Sequence, residues 1–294
     1  MRVTNQMIFD RAVTDNAAAR TRAEDAVSVA STGLKLRSPG DAPADAGLVT
    51  LEDATAARAG AIGKAASAAS DELSAVDTAL NDVTNSLARA REIAMQMGSA
   101  GYTAQQRADA AGEVQGLLTS IVASLNTQVS GRYVMGGTLD GTPPFGPTGT
   151  YSGDAGVRQV EVAPGVLQDA SVRADVAFKG AGGGTDVLTT LGQMVTDLQA
   201  NNQAGVASAL TALDAGTTQV AAARQQAGSD MSAFDAAVTI NKTAQDAAVK
   251  RSSHLTDADV VDSATKLAQA QQALQASLTA TAQGFQLTLL NYLK

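Results

Sequence analysis

The residues of this chain that could perform acid–base or nucleophilic chemistry are few and begin with a single histidine. The sequence contains one His and no Cys, which excludes thiolate nucleophiles, disulfides and metal sites that need several His or Cys ligands. His254 follows Ser252 and Ser253, whose hydroxyls could act as nucleophiles. Adjacent residues at a helix end point in different directions, however, whereas a catalytic triad needs side chains that converge in space. We therefore predict an exposed histidine without a catalytic role, and no enzymatic activity.

Two other patterns have the look of ligand sites, and each has a simpler interpretation. Residues 180–186, GAGGGTD, are glycine-rich like a phosphate-binding loop. They lack the Gly-Lys-Ser/Thr ending that places a Lys and a hydroxyl on phosphate and Mg²⁺. Asp140, Asp154 and Asp169 are spaced unlike the ligands of a calcium loop. We interpret the glycines as a flexible linker and the aspartates as turn residues, and we expect no cofactor and no metal ion.

Charge and composition exclude further classes of protein. The net charge is −8, and Lys and Arg form no cluster, which argues against nucleic-acid binding. No segment reads as a transmembrane span, so no membrane insertion is expected. The opening MRVTNQMIFDRAV has neither an uninterrupted apolar region nor a small-residue cleavage site, so we expect no cleaved signal peptide. Aromatic residues make up 3% of the chain, which favours thin helices in close contact.

Two long stretches in the middle of the chain have the periodicity of packed helices. From Leu73 to Met97 apolar residues recur in alternating steps of three and four, as in a coiled coil. A second stripe of this kind runs from Val206 to Val238. A helix of that length needs a neighbour along it. We therefore predict that the two stripes pack together as a rod.

Between these stripes the sequence predicts two shorter helices and a β-rich insert. The first short helix follows Tyr102 and would form a helical hairpin with the preceding helix. The second covers residues 186–199. The insert, residues 138–184, is rich in the Gly, Pro, Asp and Thr that form turns. Within it, residues 157–162 and 171–178 are predicted to be strands.

Both ends of the chain are also predicted to be helical. Near the start the three-four rhythm runs from Val13 to Leu34, and residues 38–41, SPGD, are predicted to stop this helix. Near the end a similar rhythm begins after Thr256 or Asp257, either of which could be the N-cap. The two ends therefore match each other in pattern.

The last helix has an uncharged flank. No Asp, Glu, Lys or Arg occurs between Lys266 and Lys294, although a solvent-facing helix normally carries charge on the side away from its partner. Its many Gln residues make it too polar for a bilayer core. The pattern predicts a helix that protein covers on several sides. That protein could be the rest of this chain or other subunits, and periodicity does not distinguish the two.

Five segments of the chain together match a known pattern. They are ASTGLKLRSPGDAPADAGLVTL (30–51), ALNDVTNSLARAREIAMQM (79–97), GRYVMGGTLDGTPPF (131–145), VRQVEVAPG (157–165) and LTDADVVDSATKLAQAQQALQASLTATAQGFQLTLLNYL (255–293). In order they resemble the segment after the first helix, the rod, the start of the insert, a strand of the insert and the carboxyl-terminal helix of bacterial flagellins. Within that family they most resemble the FlgL-type hook-associated proteins of the hook-filament junction.

The resemblance implies a mainly α fold with a particular division into domains. The expected architecture is an elongated antiparallel helical rod or coiled coil formed by the N- and C-terminal arms, with a small β-rich inserted domain. Residues 1–40 and 255–294 would be terminal helices that form an assembly coiled coil. Residues 41–137 and 185–254 would form the helical rod, and residues 138–184 the insert.

The resemblance also favours other subunits as the partners of the terminal helices. The uncharged flank of the last helix agrees with this interpretation. The expected assembly interface consists of Val13, Val27, Leu34, Leu267, Leu274, Leu278, Phe285, Leu289 and Tyr292.

The implied function is structural. The chain would self-assemble into a ring that joins a neighbouring hook-associated protein on the hook side to flagellin on the filament side. It would be extracellular, exported through the flagellar type III pathway without a cleaved signal, with a chaperone binding its C-terminal helix. The nearest alternative is a short flagellin, although VRQVEVAPG and RYVMGGTLDGTPPF favour the junction protein. A soluble hydrolase or ligand-binding domain would need a convergent polar pocket, which the sequence does not indicate.

Overall fold

The structure is a computed structural model that describes the backbone of residues 2–292 and the side chains of residue 7 and residues 9–283. Over these residues long helices dominate and a small β region is inserted, which confirms the predicted mainly α fold. The helices are α1 Arg2–Thr32, α2 Pro43–Met97, α3 Ala104–Leu125, α4 Ala174–Lys179, α5 Val187–Gln199, α6 Gln203–Thr256 and α7 Val260–Tyr292. The strands are β1 Gln128–Val129, β2 Arg132–Tyr133, β3 Gln159–Ala163 and β4 Val166–Asp169.

The chain divides into two compact units. The terminal unit comprises Met1–Ala57 and Gln245–Lys294, and the body unit comprises Arg58–Ala244. Helices α2 and α6 contribute residues to both units, whereas α1 and α7 belong to the terminal unit alone. The terminal unit is therefore formed by the first and last segments of the chain, and the body unit by its middle.

The core of the body unit is formed by the two long stripes that the periodicity predicts. The stripe residues are buried in one cluster together with apolar residues of α3 and α5, so the prediction that the stripes pack together is confirmed. The fully or almost fully buried members are Leu73, Val76, Leu80, Val83, Leu87, Ala90, Ala94 and Met97 on α2, and Val206, Leu213, Val220, Ala227 and Phe234 on α6.

Helices α2 and α6 run antiparallel in the body unit. Arg224 Nε on α6 lies 3.0 Å from Asp77 Oδ1 on α2, and Ser70 Oγ on α2 donates to Asp235 Oδ1 on α6 at 3.0 Å. Earlier residues of one helix therefore pair with later residues of the other. Because these pairs lie at the surface, they contribute little to stability, and the apolar stripes between them carry most of the packing energy.

The predicted hairpin of α2 and α3 is confirmed, and a capping box begins its second helix. Thr103 Oγ1 accepts from Gln106 N at 3.3 Å, and Gln106 Oε1 accepts from Thr103 N at 2.8 Å. This exchange satisfies two of the backbone amides that a helix start leaves without partners. Across the hairpin, Arg89 Nε lies 2.6 Å from Glu113 Oε1.

Arg107 is buried at one end of the body unit, with 5% of the residue exposed. Its Nε donates to Met97 O at 2.8 Å and its Nη2 to Ser99 O at 2.7 Å, so it pairs with carbonyls at the end of α2. Its Nη1 donates to Asn201 Oδ1, at 2.6 Å, in the loop between α5 and α6. Carbonyls at a helix C-terminus attract a positive charge, which explains how this charge can be buried.

The β region consists of two antiparallel pairs, β1 with β2 and β3 with β4. The predicted strand at residues 157–162 is largely confirmed by β3, but the one at residues 171–178 is wrong. The partner of β3 is instead β4, which follows directly after a tight turn at Pro164 and Gly165, where Gly165 has φ +79°. Residues 174–179 form helix α4, and its buried residues follow helical spacing: Ala174, Ala177 and Phe178.

The β region is fastened to α2 by a carboxylate between two guanidinium groups. Glu72 on α2, whose side chain is 13% exposed, lies 2.6 Å through Oε1 from Arg132 Nη2. Its Oε2 pairs with Arg158, which also donates to Ala170 O at 3.2 Å. A shielded carboxylate with two charged donors is stabilised more than a surface ion pair, so Glu72 holds Arg132 of β2 and Arg158, just before β3, to the rod helix.

Candidate functional site

The pairing of α1 with α7 in the terminal unit is the feature that bears on assembly. The two helices are antiparallel. A polar contact joins the first half of α1 to the second half of α7. Asn16 Nδ2 donates to Thr281 Oγ1 at 2.8 Å, and Ser277 Oγ donates to Asn16 Oδ1 at 2.6 Å. Both ends of the Asn16 amide are therefore bonded to α7.

Helix α1 ends earlier than the sequence predicted. Its last helical residue is Thr32, and Gly33 follows with φ +71°, the left-handed conformation that commonly ends a helix and suits glycine. Residues 38–41, which were predicted to stop the helix, instead form a turn in which Asp41 accepts from Arg37 N and Ser38 N at 3.0 and 2.9 Å. These bonds from Ser38 and Arg37 hold the pKa of Asp41 below its usual value.

The segment after α1 is held to the junction between α6 and α7 by four hydrogen bonds, which we call the clasp. Lys35 N donates to Thr256 O at 2.8 Å and Leu36 N to the same oxygen at 3.3 Å, while Ala258 N donates to Gly33 O at 2.8 Å. The fourth bond runs from Lys35 Nζ to the carbonyl of His254 at 2.6 Å. The positive charge of Lys35 therefore lies at the C-terminus of α6, where it stabilises the unpaired carbonyls.

The N-cap of α7 is Asp259 rather than Thr256 or Asp257. Asp259 Oδ1 accepts from Val261 N at 2.8 Å and from Asp262 N at 3.1 Å, which is the geometry of an N-cap. Thr256 is still part of α6, because the rod helix continues about five turns beyond Val238, where its apolar stripe ended. Asp257 accepts from Ser253 and Thr256 hydroxyls, and these bonds lower its pKa.

The hydroxyls near His254 are engaged in structural bonds. Ser252 Oγ donates to Asp53 Oδ1 at 2.8 Å, and Ser253 donates to Asp257. His254 itself is exposed, as predicted. These three residues form no catalytic arrangement with one another, because each hydroxyl is directed to a carboxylate and not to the imidazole.

The glycine-rich segment at residues 180–186 is an ordered turn, not the flexible linker that the sequence predicted. Gly184 N donates to Gly180 O at 3.0 Å, and Thr185 N donates to Gln219 Oε1 at 3.0 Å. Asp186 caps α5 through Thr189 N at 2.9 Å. The glycines are needed because Gly180 has φ +71° and Gly184 faces Gln219 where a Cβ would collide.

The three aspartates predicted to be turn residues have separate partners. Asp154 accepts from Thr138 N at 2.8 Å and Gly156 N at 3.1 Å, whereas Asp140 contacts Arg132 and Asp169 accepts from Gln159. Among the residues that the structure describes, no group of three or more His, Asp or Glu could hold a metal ion. Within the same part of the chain, no helix is long and apolar enough to cross a membrane.

The predicted interface residues differ in exposure along the α1–α7 pair. Leu267 and Leu274 are half-buried on the side of α7 that faces α1. Val13, Val27 and Leu278 are exposed by 49%, 48% and 54%, so the pairing leaves about half of their surface uncovered. Leu34 is exposed at the clasp. The side chains of Phe285, Leu289 and Tyr292 lie outside the described residues.

A groove with a volume of about 820 Å³ runs along the pair. Its walls include Val27 and Leu278 from opposite helices. Arg20 and Glu24 lie at its edge and form an ion pair at 2.7 Å. Val260 and Val261 at the start of α7 are exposed by 77% and 76%. An apolar groove between two helices is a surface on which a further helix can pack.

Family models identify the chain. The model of the bacterial flagellin N-terminal helical region matches residues 3–140, and that of the bacterial flagellin C-terminal helical region matches residues 210–293. The chain belongs to the bacterial flagellin family. As a member of this family it is a structural protein of the bacterial flagellum and not an enzyme. No curated protein sequence gives a significant match over the chain.

Solved structures share the fold of this flagellin-family protein. A putative flagellar hook-associated protein from Vibrio parahaemolyticus is 23% identical, with a TM-score of 0.67 over 74% of this chain and 100% of that one. FlgL from Bacillus cereus is 21% identical, with a TM-score of 0.59 over 70% and 100%. Flagellar hook associated protein-3 from Legionella pneumophila is 17% identical, with a TM-score of 0.50 over 76% and 99%.

The sequence analysis did not predict two sets of contacts in the terminal unit, the clasp and the hydrogen bonds of Asn16. The clasp is formed largely by backbone groups, which leave no pattern of side chains to read. The contact of Asn16 with Ser277 and Thr281 did leave a signal, because all three are polar residues at positions where the helices face each other. A polar residue that recurs on the contact face of a helix is a candidate for such a contact.

Proposed function

We propose that this flagellin-family protein is a junction component between the flagellar hook and filament. Copies of the chain would assemble into a ring, with a hook-associated protein on the hook side and flagellin on the filament side. The proposal is supported by the solved structures that share its fold, which are named as hook-associated or FlgL proteins. The observation that carries the assembly step is the exposed apolar groove of the α1–α7 pair.

The groove favours a second copy of the chain as its occupant for physical reasons. Burying apolar surface contributes about 25 cal/mol per Å², and Val13, Val27 and Leu278 leave about half of their surface in water within the single chain. The flank of α7 beyond Lys266 has no charge that would need to be desolvated. The same chain supplies helices of matching small-residue character, so α1 and α7 of neighbouring copies can cover one another.

We assign the parts of the chain to different steps of this function. Residues 1–40 and 255–294 would form the assembly coiled coil, with Phe285, Leu289 and Tyr292 extending the apolar face of α7. Residues 41–137 and 185–254 would form the rod. Residues 138–184 would be an insert that is not needed for the coiled coil.

The proposed location is outside the cell, as part of the flagellum. The chain would be exported by the flagellar type III pathway, and a chaperone would bind the helix of residues 255–294 before assembly. This binding is expected to use the same apolar residues as the coiled coil, because they are the ones that the single chain leaves exposed.

The first experiment is to delete the gene, examine cells by electron microscopy and assay the culture medium for flagellin. Hooks without filaments, together with unpolymerised flagellin in the medium, would support the junction role. Hooks without filaments and no released flagellin would identify the chain as the filament subunit itself. Normal flagella would overturn the proposal in a strain that has no second copy of the gene.

The assembly face is tested by Leu278→Asp. A carboxylate that is buried in the assembled coiled coil without a partner destabilises the assembly by several kcal/mol. The exported variant should therefore remain unassembled in the medium. The matched control is Thr265→Asp, since Thr265 is an exposed residue of α7 beside Asp262 and Lys266. The control should be incorporated normally. Incorporation of both variants would contradict the proposed interface.

A further inference from the structure

The surface that α1 presents to α7 carries little information about the register of the pair. Ala19 is buried, and Ala12 and Ala26 are half-buried. These three alanines are spaced by one heptad. If α1 slid along α7 by seven residues, two of these three positions would again hold alanine, so apolar packing there would change little. Small, repeated side chains therefore leave the register weakly specified.

Asn16 is the exception on this surface. Its Nδ2 donates to Thr281 Oγ1 at 2.8 Å, and its Oδ1 accepts from Ser277 Oγ at 2.6 Å. Thr281 Oγ1 in turn donates to Ser277 O at 2.8 Å. Since Ser277 and Thr281 are one helical turn apart on α7, the amide bonds two successive turns at once. This closed set of bonds fits one register.

A slide of one heptad toward the start of α7 would remove these partners. Asn16 would then face Ala270 and Leu274, whose side chains offer no hydrogen bond. Asn16 is half-buried and lines the groove, and loss of its two bonds to α7 would lower the population of that register about tenfold. The other facing positions, which are mostly alanine and leucine, would impose no comparable penalty.

The clasp acts at the other end of the pair. Three of its four bonds join backbone groups of residues 33–36 and 256–258, at or beyond the helix ends, so a slide of one heptad would break these bonds as well as those of Asn16. The fourth bond comes from Lys35 Nζ, which lies on a long flexible side chain. Asn16 lies 17 residues before Gly33, about 25 Å along the helix, where the clasp has no direct contact.

We propose that Asn16 is the positioning residue that sets the register of the α1–α7 pair, through Ser277 and Thr281. One buried asparagine among apolar residues can select a single register in a coiled coil at some cost in stability. The role concerns pairing within one chain, so it holds whether or not the protein acts at the hook-filament junction.

The absence of Cys from the sequence allows a clean test by disulfide trapping in the full chain. Counted one heptad along each helix from the Asn16–Ser277 contact, Ala23→Cys with Ala270→Cys is expected to report the observed register, and Ala23→Cys with Ser263→Cys a slide of one heptad. A disulfide needs Cα atoms within about 7 Å, and one heptad is about 10 Å along a helix, so each pair traps only its own register. Both pairs are oxidised in chains with Asn16, with Asn16→Leu and with the exposed control Thr21→Leu.

The expected result is that chains with Asn16 or Thr21→Leu form mainly the 23–270 disulfide and little of the 23–263 disulfide. With Asn16→Leu, the yield of the 23–263 disulfide should rise about tenfold, while the 23–270 disulfide still forms. An unchanged preference for 23–270 in Asn16→Leu would overturn the proposal, because the register would be set elsewhere. Loss of both disulfides in Asn16→Leu would overturn it as well, because Asn16 would then be required for pairing itself.

Discussion

The terminal and body units follow the same three-four rhythm but bury different amounts of apolar surface. In the body unit the rhythm places Leu80, Leu87 and Phe234 at zero exposure. In the terminal unit the described apolar residues buried by the pairing are Ala19 and Ala23, while Val27 remains half exposed. A periodic stripe therefore identifies the apolar face of a helix without stating whether that face is covered within the same chain.

This difference has an energetic meaning. Burial of a large apolar side chain contributes about 1.5–3 kcal/mol, whereas an alanine methyl contributes far less. The body unit can thus stabilise itself, while the pairing of α1 and α7 gains little from packing and more from polar contacts and the clasp. The exposed face of the terminal pair is the part that gains most from a partner.

The sharpest test of this comparison is to truncate one residue in each unit. Phe234→Ala should lower the free energy of unfolding by about 3–5 kcal/mol, because it leaves a cavity in a closely packed core. Val27→Ala should change it by no more than about 0.5 kcal/mol, since its side chain is half exposed. Denaturant unfolding followed by circular dichroism measures both. Similar losses in the two variants would show that the units do not differ in this way.

A second test concerns Arg107, which is buried at one end of the body unit. Arg107→Met should lower the free energy of unfolding by about 2–3 kcal/mol, because the carbonyls of Met97 and Ser99 lose a charged donor. Arg91→Met is the matched control. Its guanidinium pairs with Asp214 at the surface, so a loss of about 0–1 kcal/mol is expected. If Arg91→Met is as destabilising as Arg107→Met, burial does not explain the importance of Arg107.

The smallest expected effect concerns a buried carboxylate of the body unit. Asp230 is 3% exposed and accepts from Gln168 and Gln226, both at 2.9 Å. Burial raises its pKa and nearby Asp169 adds to the rise, while the two amides oppose it, and the net pKa is above the usual value. Its contribution to stability is therefore present below the unfolded pKa and is lost as pH rises through the folded pKa.

Asp230→Asn should for this reason stabilise the chain at about pH 7 by about 1 kcal/mol or less, because the amide keeps an acceptor without a buried charge. The gain should shrink as the pH falls to about 3, where Asp230 of the unmodified chain is protonated. Urea unfolding at both pH values measures it. The exposed Asp71→Asn is the control. A gain that does not depend on pH would exclude ionisation of Asp230 as its cause.

Most of the body unit could be predicted from the sequence because its signals are local and repeated. The stripes on α2 and α6 recur over many turns, so single exceptions do not hide them. The insert was harder, since residues 171–178 alternate imperfectly and form no strand. The turn at Pro164 and Gly165 was the better signal, because it brings β4 back onto β3 directly.

The terminal unit was predicted less completely because its decisive contacts are made across the whole chain. The apolar residues of α1 and α7 were recognised, but the sequence could not separate the face that meets the other helix from the exposed one. Likewise, the sequence offered Thr256 or Asp257 as the N-cap of α7, and only the bonds to Val261 and Asp262 identify Asp259 as the cap. Helix ends depend on single residues, so a shift of two positions changes the assignment.

The contact between Asn16 and Ser277 joins residues 261 positions apart, which sets an order of events during folding. The hairpin of α2 and α3 closes over a separation of 24 residues at Arg89 and Glu113, so it can form while later residues are still being synthesised. Helix α1 must wait for almost the entire chain before its partner exists, and closing so large a loop is slow. Helix α1, which is made before α2 and α3, is therefore among the last of these elements to reach its final structure.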